Sequence, residues 1–141
     1  MAYYSSDRQK EASLSTSCKK VPFSTIQQLY ALLEGKGWCE YTVYHKNMWD
    51  ANKKCNGQCN ATVLLVQEYF GGDIVKYPKP SEDKPMHYFN RINGCDIDLT
   101  SEQFDTKLDY ASQKELASNK TFKWDCQKSK YILKLRLGLD L

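Results

Sequence analysis

The sequence predicts a single α+β domain in which a central helix headed by Cys59 packs on an antiparallel sheet. Three observations carry that expectation. The run "CNATVLLVQEYF" at 59–70 presents a broad apolar face and stops at Gly71-Gly72, too long for a typical strand and ended as helices end. "MHYFNRI" and "CDIDLT" alternate in polarity on either side of Asn93-Gly94, the signature of a β-hairpin closed by a type I′ turn. A length of 141 residues with 41% apolar and 26% charged composition fits one globular domain able to bury its own core.

Taken along the chain, residues 1–20 are polar, rich in Ser and Lys and without period; they read as a flexible leader before one domain at 21–141. "TIQQLYALLEGKGW" has apolar residues at 26, 29, 30, 32 and 33 behind Ser24 and Thr25 as candidate caps, which predicts a helix over 25–34 that ends at Gly35 and Gly37. "MWDANKKCNGQ" carries the turn formers Asn52, Asn56 and Gly57 and is read as a loop. After the 59–70 helix, "DIVKY" is a short strand. "PKPSEDKP" follows as a Pro- and charge-rich loop that cannot pair in a sheet interior and is a candidate lid. The hairpin spans 86–100, "SEQF" starts a short helix or turn, and "SKYILKLRLGL" is a helix or strand that periodicity does not separate.

Composition excludes several classes. The net charge is +3 and the lysines are scattered, without the density of a phosphate-tracking groove, so nucleic acid is not an expected partner. The first 20 residues hold no apolar core of a signal sequence, and no stretch approaches the roughly 20 apolar residues of a membrane span. No membrane partner and a cytoplasmic location are therefore expected, with the six cysteines (18, 39, 55, 59, 95 and 126) reduced. Nothing in the sequence assigns an oligomeric state.

The hairpin register has a chemical consequence. With Asn93 and Gly94 as the two loop residues, Ile92 faces Cys95, Arg91 faces Asp96, Phe89 faces Asp98 and His87 faces Thr100. His87, Phe89 and Arg91 then share a face with Asp96, Asp98 and Thr100. His87 and Asp98 are diagonal neighbours at about 7–8 Å between Cα atoms, within side-chain reach, and Asp96 pairs with Arg91. The opposite face, with Met86, Tyr88, Ile92, Cys95, Ile97 and Leu99, is the greasier one. A helix packed only on that face turns His87 away from Cys59.

"GQCNATVLLVQEYFGGDIV" at 57–75, "HYFNRINGCDIDLTSEQF" at 87–104 and the closing "YILKLRLGL" resemble the YunG-like family, over roughly 25–139. That family has no settled biochemical function. Its order of Cys, His and Asp is similar to papain-like and transglutaminase-like cysteine enzymes, so the resemblance implies a papain-like or transglutaminase-like fold with Cys59 as nucleophile, His87 as base and Asp98 orienting the imidazole. Phe89 stands where the family pattern has tryptophan. Gln58, Gly57 and Trp49 are candidates for the oxyanion site or cleft, although Gln58 adjoins the cysteine where papain-like enzymes hold their glutamine several residues earlier.

The chemistry fits those residue types. Thiols attack as thiolates, and a helix N-terminus and a nearby imidazolium favour that form. The unsatisfied amides of a first helical turn are also donors for an oxyanion, and Gly57 permits close approach of substrate to the backbone. Each residue has a plainer reading beside this one. Cys59 is then a buried structural thiol and His87 a strand-end histidine on a carbonyl. Asp98 caps the turn at "DLTSEQF", where Thr100 and Gln103 have capping-box spacing. Cys55, Cys59, His87 and Cys95 are soft ligands for zinc, but Cys95 points to the other hairpin face from His87. Trp49 is core, and His45 has no evident partner. The expected function is a cysteine-dependent acyl-transfer enzyme (peptidase, amidase, deamidase or transglutaminase-like) acting on a peptide or amide-containing substrate without a cofactor. The alternatives are a non-catalytic binding module of the same fold and, behind it, a small metal-binding domain.

Overall fold

The structure, a computed structural model, describes residues 3–140. Its elements run β1 (Tyr4–Ser5), α1 (Arg8–Ala12), α2 (Ile26–Leu32), α3 (Cys59–Phe70), β2 (Asp73–Ser81), β3 (Lys84–Ile92), β4 (Cys95–Asp98), β5 (Leu116–Ala117) and α4 (Trp124–Arg136). The five strands form one sheet in the order β1-β4-β3-β2-β5, with every pairing antiparallel. The chain is thus an α+β protein. No helix among the described residues is long and apolar enough to cross a membrane.

Local signals set most of the helices. Thr25 caps α2 reciprocally with Gln28, satisfying two amides that a helix start leaves free, and the helix runs on as a wider π turn over Leu33–Gly37. The α3 helix starts at Cys59 and ends where Gly71 takes φ +74°, ψ −154°, a conformation essentially reserved for glycine. The C-terminal segment resolves as helix: Leu133 and Leu137 of α4 and its exit are fully buried beside Ile26, Leu29, Leu65 and Ile97.

The β3–β4 hairpin has the register that its turn dictates, with Ile92 opposite Cys95, Arg91 opposite Asp96 and Asn90 opposite Ile97. Asn93 (φ +50°) and Gly94 (φ +76°) supply the two positive φ angles of a type I′ turn. Arg91 grips Asp96 through both nitrogens, Nε to Oδ1 at 2.5 Å and Nη2 to Oδ2 at 3.2 Å.

Two expectations are corrected. The "PKPSEDKP" stretch is not a free loop: β2 continues through Pro78, opposite Met86, to Ser81, opposite Lys84, with an irregularity between. Proline is tolerated there because β5 pairs only with Ile74 and Val75, so β2 has an open edge at Pro78. Nor are the first 20 residues a leader without structure. Tyr4 and Ser5 pair with Asp98 and Ile97, Asp7 caps α1, and Tyr3 and Leu14 are buried in the main core. The free edge of β4 recruits this segment, a tertiary effect with no periodic trace in the sequence.

The sheet separates two cores. Helices α2, α3 and α4 pack with Ile92, Cys95, Ile97 and Ile74 on one face. On the other, Val75 and Phe89 are covered by Leu108 and Tyr110 of an irregular segment, with Tyr4, Tyr77 and Phe104 at its margin. His87 and Asp98 belong by parity to this second face.

Candidate active site

The start of α3 is built by three successive residues with different tasks. Gly57 has φ +74°, and a Cβ there would meet Met48 Cβ at 2.8 Å. Gln58 is fully buried and turned away from the cavity described below: Thr42 Oγ1 donates to its Oε1 (2.8 Å), and its Nε2 donates to the Cys39 carbonyl (3.2 Å). It anchors the 39–42 turn, so the sequence's oxyanion candidate is a structural residue. Cys59 then opens the helix, which no side chain caps, so the amides of its first turn stay available.

Asp98 is satisfied on both oxygens. His87 Nε2 donates to Oδ2 at 2.6 Å and the Tyr110 hydroxyl donates to the same oxygen at 2.7 Å. The Thr100 amide and hydroxyl donate to Oδ1 at 3.1 and 3.2 Å. The turn-capping role and the histidine-orienting role therefore coexist on one carboxylate. His87 is 1% exposed. Burial disfavours its charged form, but the Asp98 charge and hydrogen bond outweigh this, with Cys59 adding to them, and raise the imidazole pKa to about 10. Burial, with the Asp98 charge and hydrogen bond adding to it, pushes the Tyr110 hydroxyl far above the ordinary phenol range, so it stays a donor.

Cys59 and His87 line one cavity of about 370 Å³, with Gly57, Met48, Lys84, Met86, Tyr88 and Gln103 among its other walls. The thiol lies near enough to the imidazole to influence its charge, while its own hydrogen bond goes to Asn60 Oδ1 (3.2 Å). Since Nε2 is held by Asp98, the nitrogen left for the thiol is Nδ1. The body of α3 does pack on the greasier sheet face, where Asn90 Nδ2 donates to the Val63 carbonyl (3.1 Å). What brings Cys59 to His87 is the shortness of β4, which stops at Asp98. Beyond it the chain turns through Thr100 to Gln103, whose Oε1 accepts the Gly57 amide (3.3 Å). The start of α3 thereby reaches the first half of β3 past the end of β4.

The remaining candidates separate. Trp49 packs against the main core, while its neighbour Met48 lines the cavity. His45, without a partner in the sequence reading, lines the cavity too and lies against the Tyr44 ring. Cys55 is buried in the main core, and Cys95 faces Ser5, Ser6 and Asp7. Of the four soft ligands only Cys59 and His87 adjoin. Among the described residues no group of three or more His, Cys, Asp or Glu side chains is placed to hold a metal ion.

Sequence reasoning missed Tyr110 and Lys84 and misassigned Gln103. Gln103 makes no capping box: its Nε2 donates to Thr100 Oγ1 (3.1 Å) and its Oε1 takes the Gly57 amide. It therefore links the Asp98 turn to the Cys59 turn. Thr100–Gln103 spacing gave a signal for a contact here, of the wrong geometry. Tyr110 lies in "TKLDYASQ", which has neither period nor motif to mark it.

Fold and cavity define a small α+β protein with a cysteine, a histidine and an aspartate clustered where a helix start meets the end of a strand. Residues 25–138 match the YunG protein family, and the chain belongs to that family. It is similar to the uncharacterized protein YunG of Bacillus subtilis strain 168, 37% identical over 67 residues, an alignment that covers 48% of this chain and 56% of that protein. The chain thus matches just over half the length of this relative. No solved structure matches. The ordered segment of β1 and α1 lies outside the family match.

Proposed function

We propose that the protein is a cysteine-dependent acyl-transfer enzyme of the papain-like or transglutaminase-like kind, acting on an amide or ester. The observation that carries the reading is a buried His87–Asp98 pair, Nε2 2.6 Å from Oδ2, whose imidazole lines the same cavity as the Cys59 thiol. A raised His87 pKa of about 10 makes an imidazolium the resting form at neutral pH, which is the neighbour that an attacking thiolate requires. Six unpaired thiols support a reducing, cytoplasmic setting.

In the proposed reaction Cys59 Sγ attacks the acyl carbon as thiolate, a C–S bond forms, and the carbonyl π pair moves onto oxygen. Collapse of that oxyanion breaks the C–N or C–O bond, and His87 Nδ1 passes its proton to the leaving amine or alcohol. The neutral imidazole then takes a proton from water or a second nucleophile as that nucleophile bonds to the acyl carbon; the C–S bond breaks, the acyl group leaves, and thiolate and imidazolium are restored. Asp98 holds the ring and stabilises its charge. First-turn amides of α3 face the developing oxyanion, an interaction of about 2.7–4 kcal/mol per donor in known enzymes.

An acyl-enzyme test examines this reading. With p-nitrophenyl acetate, an acetyl thioester should accumulate on Cys59 as p-nitrophenolate leaves, as read by peptide mass mapping, and Cys59→Ser should lose the adduct. Acetylation spread equally over the exposed Cys18 and Cys59 would count against a nucleophile at this position.

A further inference from the structure

Lys84 opens β3 and lines the cavity that Cys59 and His87 share. Its ammonium is fixed: Nζ donates to Asn56 Oδ1 (3.2 Å) and to the Gln103 carbonyl (3.4 Å) and lies 4.9 Å from the centre of the Phe104 ring. All three partners are neutral. Among the described residues no carboxylate lies within ion-pair distance of it. Asp83, on the same cavity, accepts instead from Ser81 Oγ (2.8 Å). Lys76 is paired with Glu115 and both Lys130 and Lys134 with Glu68; Lys54, held by the Glu34 carbonyl (3.0 Å), is like Lys84 in having no ion pair among the described residues but does not line the cavity.

An immobilised cation without a direct ion pair beside a nucleophile draws anions to the site; the Asp83 carboxylate on the same cavity interacts with it only beyond ion-pair distance. Its two hydrogen-bond partners tie it to the turn that carries Cys59, because Asn56 lies in that turn and Gln103 also accepts the Gly57 amide. The distance between ammonium and thiol is thereby set by the fold. The cavity walls also include Met48, Met86, Tyr44 and Tyr88, which supply apolar surface together with two phenol groups.

Resting on the acyl-transfer reading above, we propose that Lys84 anchors a carboxylate of the substrate, so that the substrate class is an amide or ester bearing a carboxylate and an apolar portion that lies along Met48 and Met86. One cation, held by neutral groups at a set separation from the thiol, then selects acidic over neutral substrates.

Iodoacetate and iodoacetamide test this directly. Both alkylate a thiolate with loss of iodide and differ in carrying a carboxylate or a neutral amide. The ratio of their rates at Cys59, read by peptide mass mapping, cancels the thiol's own reactivity and reports the local field. Lys84→Met and Lys84→Gln should each lower that ratio about five-fold, and Lys84→Arg should retain it; glutamine keeps a donor for Asn56 and Gln103 if methionine perturbs the turn. A ratio unchanged in both neutral variants overturns the anchor. Slow labelling of wild-type Cys59 by both reagents counts against the nucleophile instead, and the ratio still decides the anchor.

Discussion

Cys55 and Cys59 are four residues apart and nearly equally buried, at 5% and 7% exposure, yet they sit in different chemical surroundings. Cys55 lies in the main core, where burial, with the charges of Glu102, Glu34 and Asp98 adding to it, pushes its thiol up to about 12. Cys59 opens α3 beside a histidine whose charge is secured by Asp98. Burial does not distinguish the two thiols, and on the proposed reading the histidine beside Cys59 is what makes it the reactive one. Between them stands Gly57, whose left-handed backbone turns the chain from the core to the cavity.

The largest expected effect comes from breaking the buried pair that makes the two thiols different. Asp98→Asn leaves the His87 site without its charge partner and should lower stability by about 3–5 kcal/mol. The sign with pH follows from the folded histidine pKa of about 10 against 6.5 for a free one. Stabilisation is complete below about pH 6.5 and is lost as pH rises through about 10. Denaturant unfolding at pH 6 and pH 10 should therefore show a wide gap between wild type and Asp98→Asn that narrows at the higher pH. A gap independent of pH would contradict an imidazolium at this site.

Gly57→Ala attacks the turn itself. A Cβ there meets Met48 Cβ at 2.8 Å with φ at +74°, and a loss of about 2–3 kcal/mol in thermal or chemical unfolding is expected. Tyr110→Phe removes one donor from Asp98 Oδ2. It should cost about 2 kcal/mol and leave Cys59 more reactive than Cys55, since His87 and Thr100 still hold the carboxylate. The smallest effect, about 1 kcal/mol from lost buried surface, is expected for Cys55→Ala, with Cys59 labelling unchanged; a fall in that labelling would show the two sites to be coupled.

What the sequence disclosed was local in origin. Asn93-Gly94 fixes its own turn type and, through it, the strand pairing that sets His87 and Asp98 diagonally on one face. Gly71 and the apolar run mark α3 from Cys59 to Phe70. What stayed hidden depends on partners distant in the chain. Tyr4 becomes a strand residue only because β4 has a free edge, and its ring then stacks on Tyr110 at 4.0 Å between centroids. Pro78 enters a strand only because β5 stops short of it. The family resemblance makes Gln58 an oxyanion candidate, in spite of its adjoining Cys59, whereas Thr42 and the Cys39 carbonyl claim its side chain. The meeting of Cys59 with His87 depends on β4 ending at Asp98, and no residue pattern specifies the length of that strand.

The central claim is that Cys59 owes its reactivity to His87, and timed iodoacetamide labelling at pH 6 measures it most directly, with all six cysteines resolved by peptide mass mapping. Wild-type Cys59 should be alkylated about 100-fold faster than Cys39 and Cys55, and His87→Ala should remove most of that advantage. Labelling of Cys59 no faster than Cys39, or a rate that His87→Ala leaves untouched, would contradict the account.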